Sequence, residues 1–285
     1  MIIWKNVAEG DKFNHSFKAH AGPVKSVRFS KDGNFLLSAG DDKIIKLYKV
    51  SSNYKKTQFL RSFVGHTNWV LKADISPDSN VVASICEKTV RLWDATNGDQ
   101  ILKYKNVESG NRCLEIHPEG NYIAIGGESG LLQIWDSRAE KLAQVYDTSD
   151  PINEINFHPS GQFIATAHEY CPSKNNSVLK IFDIRQGRCI YKITGVYGSL
   201  YGLRFSAEGS YLGSAGSEKL VYVWKTNFKP LTPLIQGEKE QQDAIQAENA
   251  ANLGQGEAEI YIGGALSLEQ QCDQINNQKK SRAYE

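Results

Sequence analysis

The sequence predicts an all-β repeat protein: about five copies of a small antiparallel sheet, preceded by part of a further copy and followed by a polar tail. Three observations carry this. An aromatic residue recurs at Trp4, Tyr48, Trp93, Trp135, Phe182 and Trp224, at spacings of 44, 45, 42, 47 and 42 residues, and each closes a short apolar run (IIW, IKLY, VRLW, LQIW, LKIF, VYVW). A turn recurs near the middle of each unit: SKDGNF from Ser30, SPDSNV from Ser76, HPEGNY from His117, HPSGQF from His158 and SAEGSY from Ser206. Proline pre-sets one turn dihedral and glycine accepts a positive φ, so these read as hairpin turns. The apolar runs themselves alternate with a period of two, the pattern of strands whose successive side chains face opposite sides of a sheet.

The elements follow in order. Ile2 to Lys5 and Lys12 to Phe17 match the third and fourth strands of a unit whose first half is absent. Unit one spans Val24 to Phe29, Phe35 to Ala39, Ile44 to Tyr48 and Phe59 to Val64. Unit two, His66 to Asp94, is the clearest copy: Val70 to Ile75, Val81 to Ile85, Thr89 to Asp94, with a fourth strand near Gln100 to Tyr104. Unit three comprises Arg112 to Ile116, Tyr122 to Gly126, Leu131 to Trp135 and Ala143 to Tyr146. In unit four, Ile152 to Phe157, Phe163 to Ala167, Val178 to Phe182 and Cys189 to Ile193 enclose an inserted loop, Glu169 to Ser177, which explains the longest spacing. Unit five has Leu200 to Phe205, Tyr211 to Ala215 and Leu220 to Trp224, and no fourth strand is evident after it. The repeats therefore occupy residues 1–228. Residues 229–285 are rich in Gln, Asn, Glu and Ala; they read as a disordered or partly helical tail with an apolar island at Ile260 to Leu268.

Composition narrows the function. A net charge of +1 over 285 residues, with no basic stripe, points away from nucleic acid. No apolar run reaches eighteen residues and no signal-peptide pattern opens the chain, so no membrane partner is expected. The five cysteines (86, 113, 171, 189, 272) are scattered without a CxxC pair and read as small strand residues in a reducing compartment. Phosphate-loop, GxSxG and HExxH motifs are absent, and the His-Pro pairs at 117 and 158 belong to repeat turns. The expectation is a protein with no catalysis, no cofactor, no metal and no small-molecule substrate.

Gly-His followed some 25 residues later by Trp-Asp (Gly65-His66, Trp93-Asp94) resembles the WD-repeat family of β-propellers. The resemblance implies blades of four antiparallel strands, each locked by a hydrogen-bonded tetrad of His, Ser or Thr, Asp and Trp. The matching positions are His20, Ser38, Asp42 and Tyr48 in unit one, and His66, Ser84, Glu87 and Trp93 in unit two, where Glu87 stands for the usual aspartate. The segments GHTNWV (65–70), EKTVRLWD (87–94), FHPSGQFIATA (157–167), LKIFDIRQGRCIY (179–191) and YVWKTNF (222–228) further resemble the centriolar WD-repeat proteins called proteome of centriole proteins. Those have seven repeats, so the implied fold here is an incomplete seven-blade ring: about five blades and a partial N-terminal one. Lys12 to Phe17 could complete unit five and close a ring of five; the expected alternative is an open ring with the N-terminal strands as half a blade.

Residues at the start of each inner strand would lie near one propeller face; they include Lys25, Trp69, Arg112, Asn153 and Tyr201, and exposed Trp and Arg are typical interface anchors. Trp135-Asp136-Ser137-Arg138 resembles the WDxR box of propellers that dock on cullin-type ubiquitin-ligase adaptors. The expected function is a protein-interaction scaffold. The centriolar resemblance implies a structural role at centrioles or ciliary basal bodies, in the cytoplasm and cytoskeleton, with tubulin or centriolar scaffold proteins as partners. The alternatives are a ubiquitin-ligase substrate receptor and a truncated, non-functional paralogue.

Overall fold

The computed structural model describes residues 1–4, 13–51, 56–104, 110–139, 141–171, 178–193, 196, 198–226 and 260–261. Strands β1 (Ile2–Trp4) and β2 (Phe13–Ser16) pair antiparallel as a two-stranded sheet of their own. Five four-stranded blades follow. Blade 1 is β3 (Val24–Phe29), β4 (Phe35–Gly40), β5 (Ile44–Val50) and β6 (Thr57–Val64). Blade 2 is β7 (Lys72–Ile75), β8 (Val81–Cys86), β9 (Thr89–Asp94) and β10 (Gln100–Tyr104). Blade 3 comprises β11 (Asn111–Ile116), β12 (Tyr122–Gly127), β13 (Leu131–Asp136) and β14 (Leu142–Asp147). Blade 4 comprises β15 (Ile152–Phe157), β16 (Phe163–His168), β17 (Leu179–Asp183) and β18 (Arg188–Ile193). Blade 5 has β19 (Leu200–Phe205), β20 (Tyr211–Gly216), β21 (Val221–Lys225) and β22 (Ile260–Tyr261).

The aromatic repeat sets a common register. Leu36 faces Tyr48, Val82 faces Trp93, Ile123 faces Trp135, Ile164 faces Phe182 and Leu212 faces Trp224 across the second and third strands. The hairpin turns share a conformation as well. Gly33, Ser79, Gly120, Gly161 and Gly209 all have positive φ, between 61° and 82°, and only Ser79 carries a side chain there.

At the ends one expectation needs correction, and of the two alternatives for the N-terminal strands the half-blade is the one observed. A fourth strand does complete blade 5: Ile260 and Tyr261, from the apolar island of the tail, pair with Trp224 and Val223. Phe13–Ser16 pairs with Ile2–Trp4 instead of closing blade 5. The rest of the tail and most of the blade 4 insertion (172–177) lie outside the described residues.

Packing between blades follows one rule. The inner strand of each blade turns two apolar residues back onto the blade before it: Ala73 and Ile75, Leu114 and Ile116, Ile155 and Phe157, Leu203 and Phe205. They meet third-strand residues of that preceding blade: Ile45 and Leu47, Val90 and Leu92, Leu132 and Ile134, Leu179 and Ile181. All these third-strand residues are buried, and burial of each such side chain is worth about 1.5–3 kcal/mol. At the ends the rule breaks. In blade 1 the equivalent inner-strand residues, Val27 and Phe29, are 46% and 47% exposed; in blade 5 the equivalent third-strand residue Val221 is 64% exposed. Beside the half-blade, Met1 and Phe17 pack on Leu36, Tyr48 and Val50 in the outer part of blade 1. Among the described residues the five blades therefore form an arc whose two end faces no other blade covers.

Candidate functional site

Antiparallel order places the inner-strand starts and the turns between second and third strands on one face, and the hairpin turns and third-to-fourth-strand turns on the other. On the first face a β-bulge recurs. Pairing of the inner strand slips between Val24 and Ser26, Asn111 and Cys113, Ile152 and Glu154, and Leu200 and Gly202. The residue left over at each slip is Lys25, Arg112, Asn153 or Tyr201, four of the five residues picked out at inner-strand starts. A bulge re-aims the side chain of its extra residue out of the strand's alternation. Trp69 differs: it precedes β7 in a loop, where its backbone N–H donates to the Asn68 side-chain oxygen at 2.9 Å.

The five residues do different things. Trp69 is 53% exposed, with Lys25 Nζ 5.8 Å from its ring centroid, inside cation–π range. Tyr201 is 59% exposed. Arg112 is held on three sides, donating to Asn153 Oδ1 (2.7 Å), Glu169 Oε2 (3.1 Å) and Glu128 Oε1 (3.2 Å). Burial works against the Arg112 charge, and the two glutamates outweigh it and hold its pKa above the ordinary arginine value. Asn153 in turn donates to the Leu200 carbonyl at 3.0 Å. Arg112 and Asn153 thus stitch blades 3, 4 and 5, leaving Trp69 and Tyr201 as the open aromatic surface.

A feature the sequence reading missed lies on the same face: every blade carries a carboxylate in its second-to-third-strand turn, at Asp41, Glu87, Glu128, Glu169 and Glu218. Asp41 faces Lys25 at 3.7 Å and Glu87 accepts from Asn68 at 3.1 Å. The signal was present as an acid just after each second strand, masked by turns of unequal length.

The tetrad positions behave differently in the two blades. In blade 1, His20 Nδ1 lies 2.8 Å from Asp42 Oδ1, and Nε2 lies 2.7 Å from Ser38 Oγ. Tyr48 sends its hydroxyl to the Ala19 carbonyl at 3.5 Å. In blade 2, Ser84 Oγ accepts from Trp93 Nε1 at 2.8 Å and stands 2.7 Å from His66 Nε2. Glu87 takes no part there. Thr89 Oγ1 occupies the acid's place, 3.3 Å from His66 Nδ1, because the blade 2 turn is one residue shorter than that of blade 1 and carries Glu87 outward to Asn68. Burial, with Arg91 and Lys103 nearby, pushes the His66 pKa down to about 4. Blade 4 has a lock of its own: His168 bonds Thr166 at 2.7 Å, and Lys180 reaches Asp150 at 2.8 Å.

On the opposite face, Trp135 is buried against Tyr104 (centroids 4.6 Å apart) and donates to Gln133 at 3.1 Å. Asp136 Oδ1 accepts the backbone N–H of Arg138 (2.7 Å) and of Ala139 (3.0 Å). The Arg138 guanidinium is exposed and makes no ion pair within 4 Å among the described residues. Of Trp135, Asp136 and Arg138, then, two are committed to the blade. Among the described residues no group of three His, Cys, Asp or Glu side chains could hold a metal ion, and no helix is long and apolar enough to cross a membrane.

The sequence pattern of the WD domain, G-beta repeat, matches residues 11–49, 57–94, 106–136 and 187–225, more than half of the chain. The chain belongs to the WD-repeat family. Among its relatives are the serine-threonine kinase receptor-associated protein of Gallus gallus, 28% identical over 246 residues (86% of this chain, 67% of the relative), and its Mus musculus counterpart, 27% identical over 209 residues (73% and 56%). Protein groucho of Drosophila melanogaster is 24% identical over 206 residues (72% of this chain, 27% of that protein). The U3 small nucleolar RNA-associated protein 15 homolog of Xenopus tropicalis is 27% identical over 205 residues (70% and 38%). The chain thus spans two thirds or less of the length of these curated WD-repeat relatives.

Proposed function

We propose that this WD-repeat protein is a non-catalytic interaction scaffold whose inner-strand-start face docks a protein partner through Trp69 and Tyr201. The observation that carries the reading is the exposure of both aromatics on a face where the neighbouring bulge residues, Arg112 and Asn153, are tied down. Large aromatics on a fixed frame bury much surface at little entropic cost, which is why they dominate interface energetics. Two of the relatives are named for an association, one with a serine-threonine kinase receptor and one with a small nucleolar RNA. The narrower role is structural, at centrioles and ciliary basal bodies, with tubulin or centriolar scaffold proteins as partners; its support is the segment resemblance at 65–70, 87–94, 157–167, 179–191 and 222–228.

A second reading, a substrate receptor for a cullin-type ubiquitin ligase, is favoured by the exposed Arg138 guanidinium on the other face, which makes no ion pair within 4 Å among the described residues. One experiment separates the two. A fluorescent fusion is imaged against a centriole marker in ciliated cells, as the parent and as the Trp69→Ala/Tyr201→Ala and Arg138→Ala variants. The scaffold reading expects centriolar puncta that the double variant loses and Arg138→Ala keeps. Diffuse signal from the parent would sink the centriolar role. Loss of adaptor co-purification on Arg138→Ala would favour the ligase reading.

A further inference from the structure

The inner strands carry a second recurring position that neither the tetrads nor the docking face uses. It is the penultimate residue of each strand: Arg28, Asp74, Glu115, Asn156 and Arg204. The three middle blades carry acceptors there, and each accepts the last backbone N–H of the next inner strand. Asp74 takes Ile116 N–H at 2.9 Å, Glu115 takes Phe157 N–H at 2.7 Å, and Asn156 takes Phe205 N–H at 2.6 Å. This seam sews blades 2, 3 and 4 each to its successor. The two end blades carry arginines instead, and both reach the middle blade. Arg28 Nη2 lies 3.1 Å from Glu115 Oε1, and Arg204 Nη1 lies 2.6 Å from the same oxygen. Asn156 also donates to the Glu115 carboxylate, at 2.7 Å.

We propose that Glu115 is a two-armed clasp: it holds the inner strands of blades 1 and 5, the two blades packed against another blade on one side only among the described residues, to the middle of the arc and so sets how far the open ends stand apart. Among the described residues no preceding blade covers Val27 and Phe29 of blade 1, and none follows beyond Val221 of blade 5. An interior blade is held by blade packing on both sides; blade 1 keeps only the contact with blade 2, and blade 5 only that of Leu203 and Phe205 on blade 4, so at each end an ion pair to Glu115 adds to the one packed side that remains. Arg28 is mostly enclosed, and Asp74, 3.6 Å away, gives it a second carboxylate. Arg204 is 44% exposed along its side chain, so solvent screens its arm more and it is the weaker of the two. The inference does not depend on which partner the docking face takes.

The test is hydrogen exchange read strand by strand on the full chain, with small-angle scattering alongside. Glu115→Gln keeps the acceptor for Phe157 N–H and removes the charge. The expected result is exchange at least ten-fold faster in β3 and β19, unchanged exchange in β16 and β17, and a larger radius of gyration. Arg28→Met is expected to loosen β3 by more than Arg204→Met loosens β19. Should Glu115→Gln fail to fold, the two arginine variants carry the test alone. Exchange that rises evenly through all five blades, or ends that stay as protected as in the parent, would overturn the clasp.

Discussion

His20 and His66 occupy equivalent places, yet their partners differ in kind, and the difference is measurable. His20 Nδ1 faces a carboxylate, Asp42, whereas His66 Nδ1 faces a hydroxyl, Thr89, with Glu87 turned away. Removing Asp42 leaves a buried imidazole N–H without an acceptor, so Asp42→Ala is expected to cost about 1–3 kcal/mol in urea unfolding, against less than about 0.5 kcal/mol for the exposed Glu87→Ala. Equal costs would contradict the assignment. Acid should expose the other histidines. Burial holds His66 and His168 at pKa values of about 4, below the ordinary value near 6.5. Between those values the unfolded chain binds protons that the folded one does not. Stability is therefore full above about pH 6.5 and falls as the pH drops toward 4, by up to roughly 3 kcal/mol per histidine. A urea midpoint that stays level from pH 7 to pH 4.5 would show that neither ring is held neutral. At this scale the sequence was legible for His20, Ser38 and Asp42, whose spacing follows the family pattern. It misplaced Glu87, because one missing turn residue swings a side chain away.

At the scale of the element, the hairpin turns show how conformation selects residue. Four of the five turns put glycine at the positive-φ position; the turn of blade 2 puts Ser79 there at φ 61°. A non-glycine residue in that region costs about 1–2 kcal/mol, part of which glycine returns through the freer unfolded chain. Ser79→Gly is thus expected to stabilise by up to about 1 kcal/mol, read as a higher thermal midpoint; a lower midpoint would mean that the Ser79 side chain makes a contact worth more than the strain. Strands and turns were readable from alternation and from Pro and Gly. The bulges were not, since a one-residue slip leaves the apolar pattern of its strand almost intact. They matter because they present Lys25, Arg112, Asn153 and Tyr201. The fourth strand of blade 5 was hidden for a different reason: Ile260 and Tyr261 stand some 35 residues past β21, and pairing at that distance leaves no local signal.

For the whole molecule, the distinctive property is the pair of uncovered end faces. Val221 and Leu179 hold equivalent third-strand positions, one 64% exposed and the other fully buried. Leu179→Ala should cost about 2–5 kcal/mol, as buried leucines do, and Val221→Ala less than about 0.5 kcal/mol. If both cost several kcal/mol, something covers blade 5 and the arc is closed. The five and a half units were legible from the sequence, but whether they closed into a ring of five or stayed an open arc was not, because both arrangements use the same strands. The charges inside it were not legible: Arg28, Glu115 and Arg204 lie 87 and 89 residues apart and meet only once the arc has curved.

The central claim is that a partner docks on the face bearing Trp69 and Tyr201. Site-specific photo-crosslinking tests it most directly, with benzoylphenylalanine placed at position 69, 201 or 138 of the full chain in ciliated cells. The account predicts that positions 69 and 201 capture the same protein and that position 138 does not. Capture from position 138 alone would contradict it and move the partner to the opposite face.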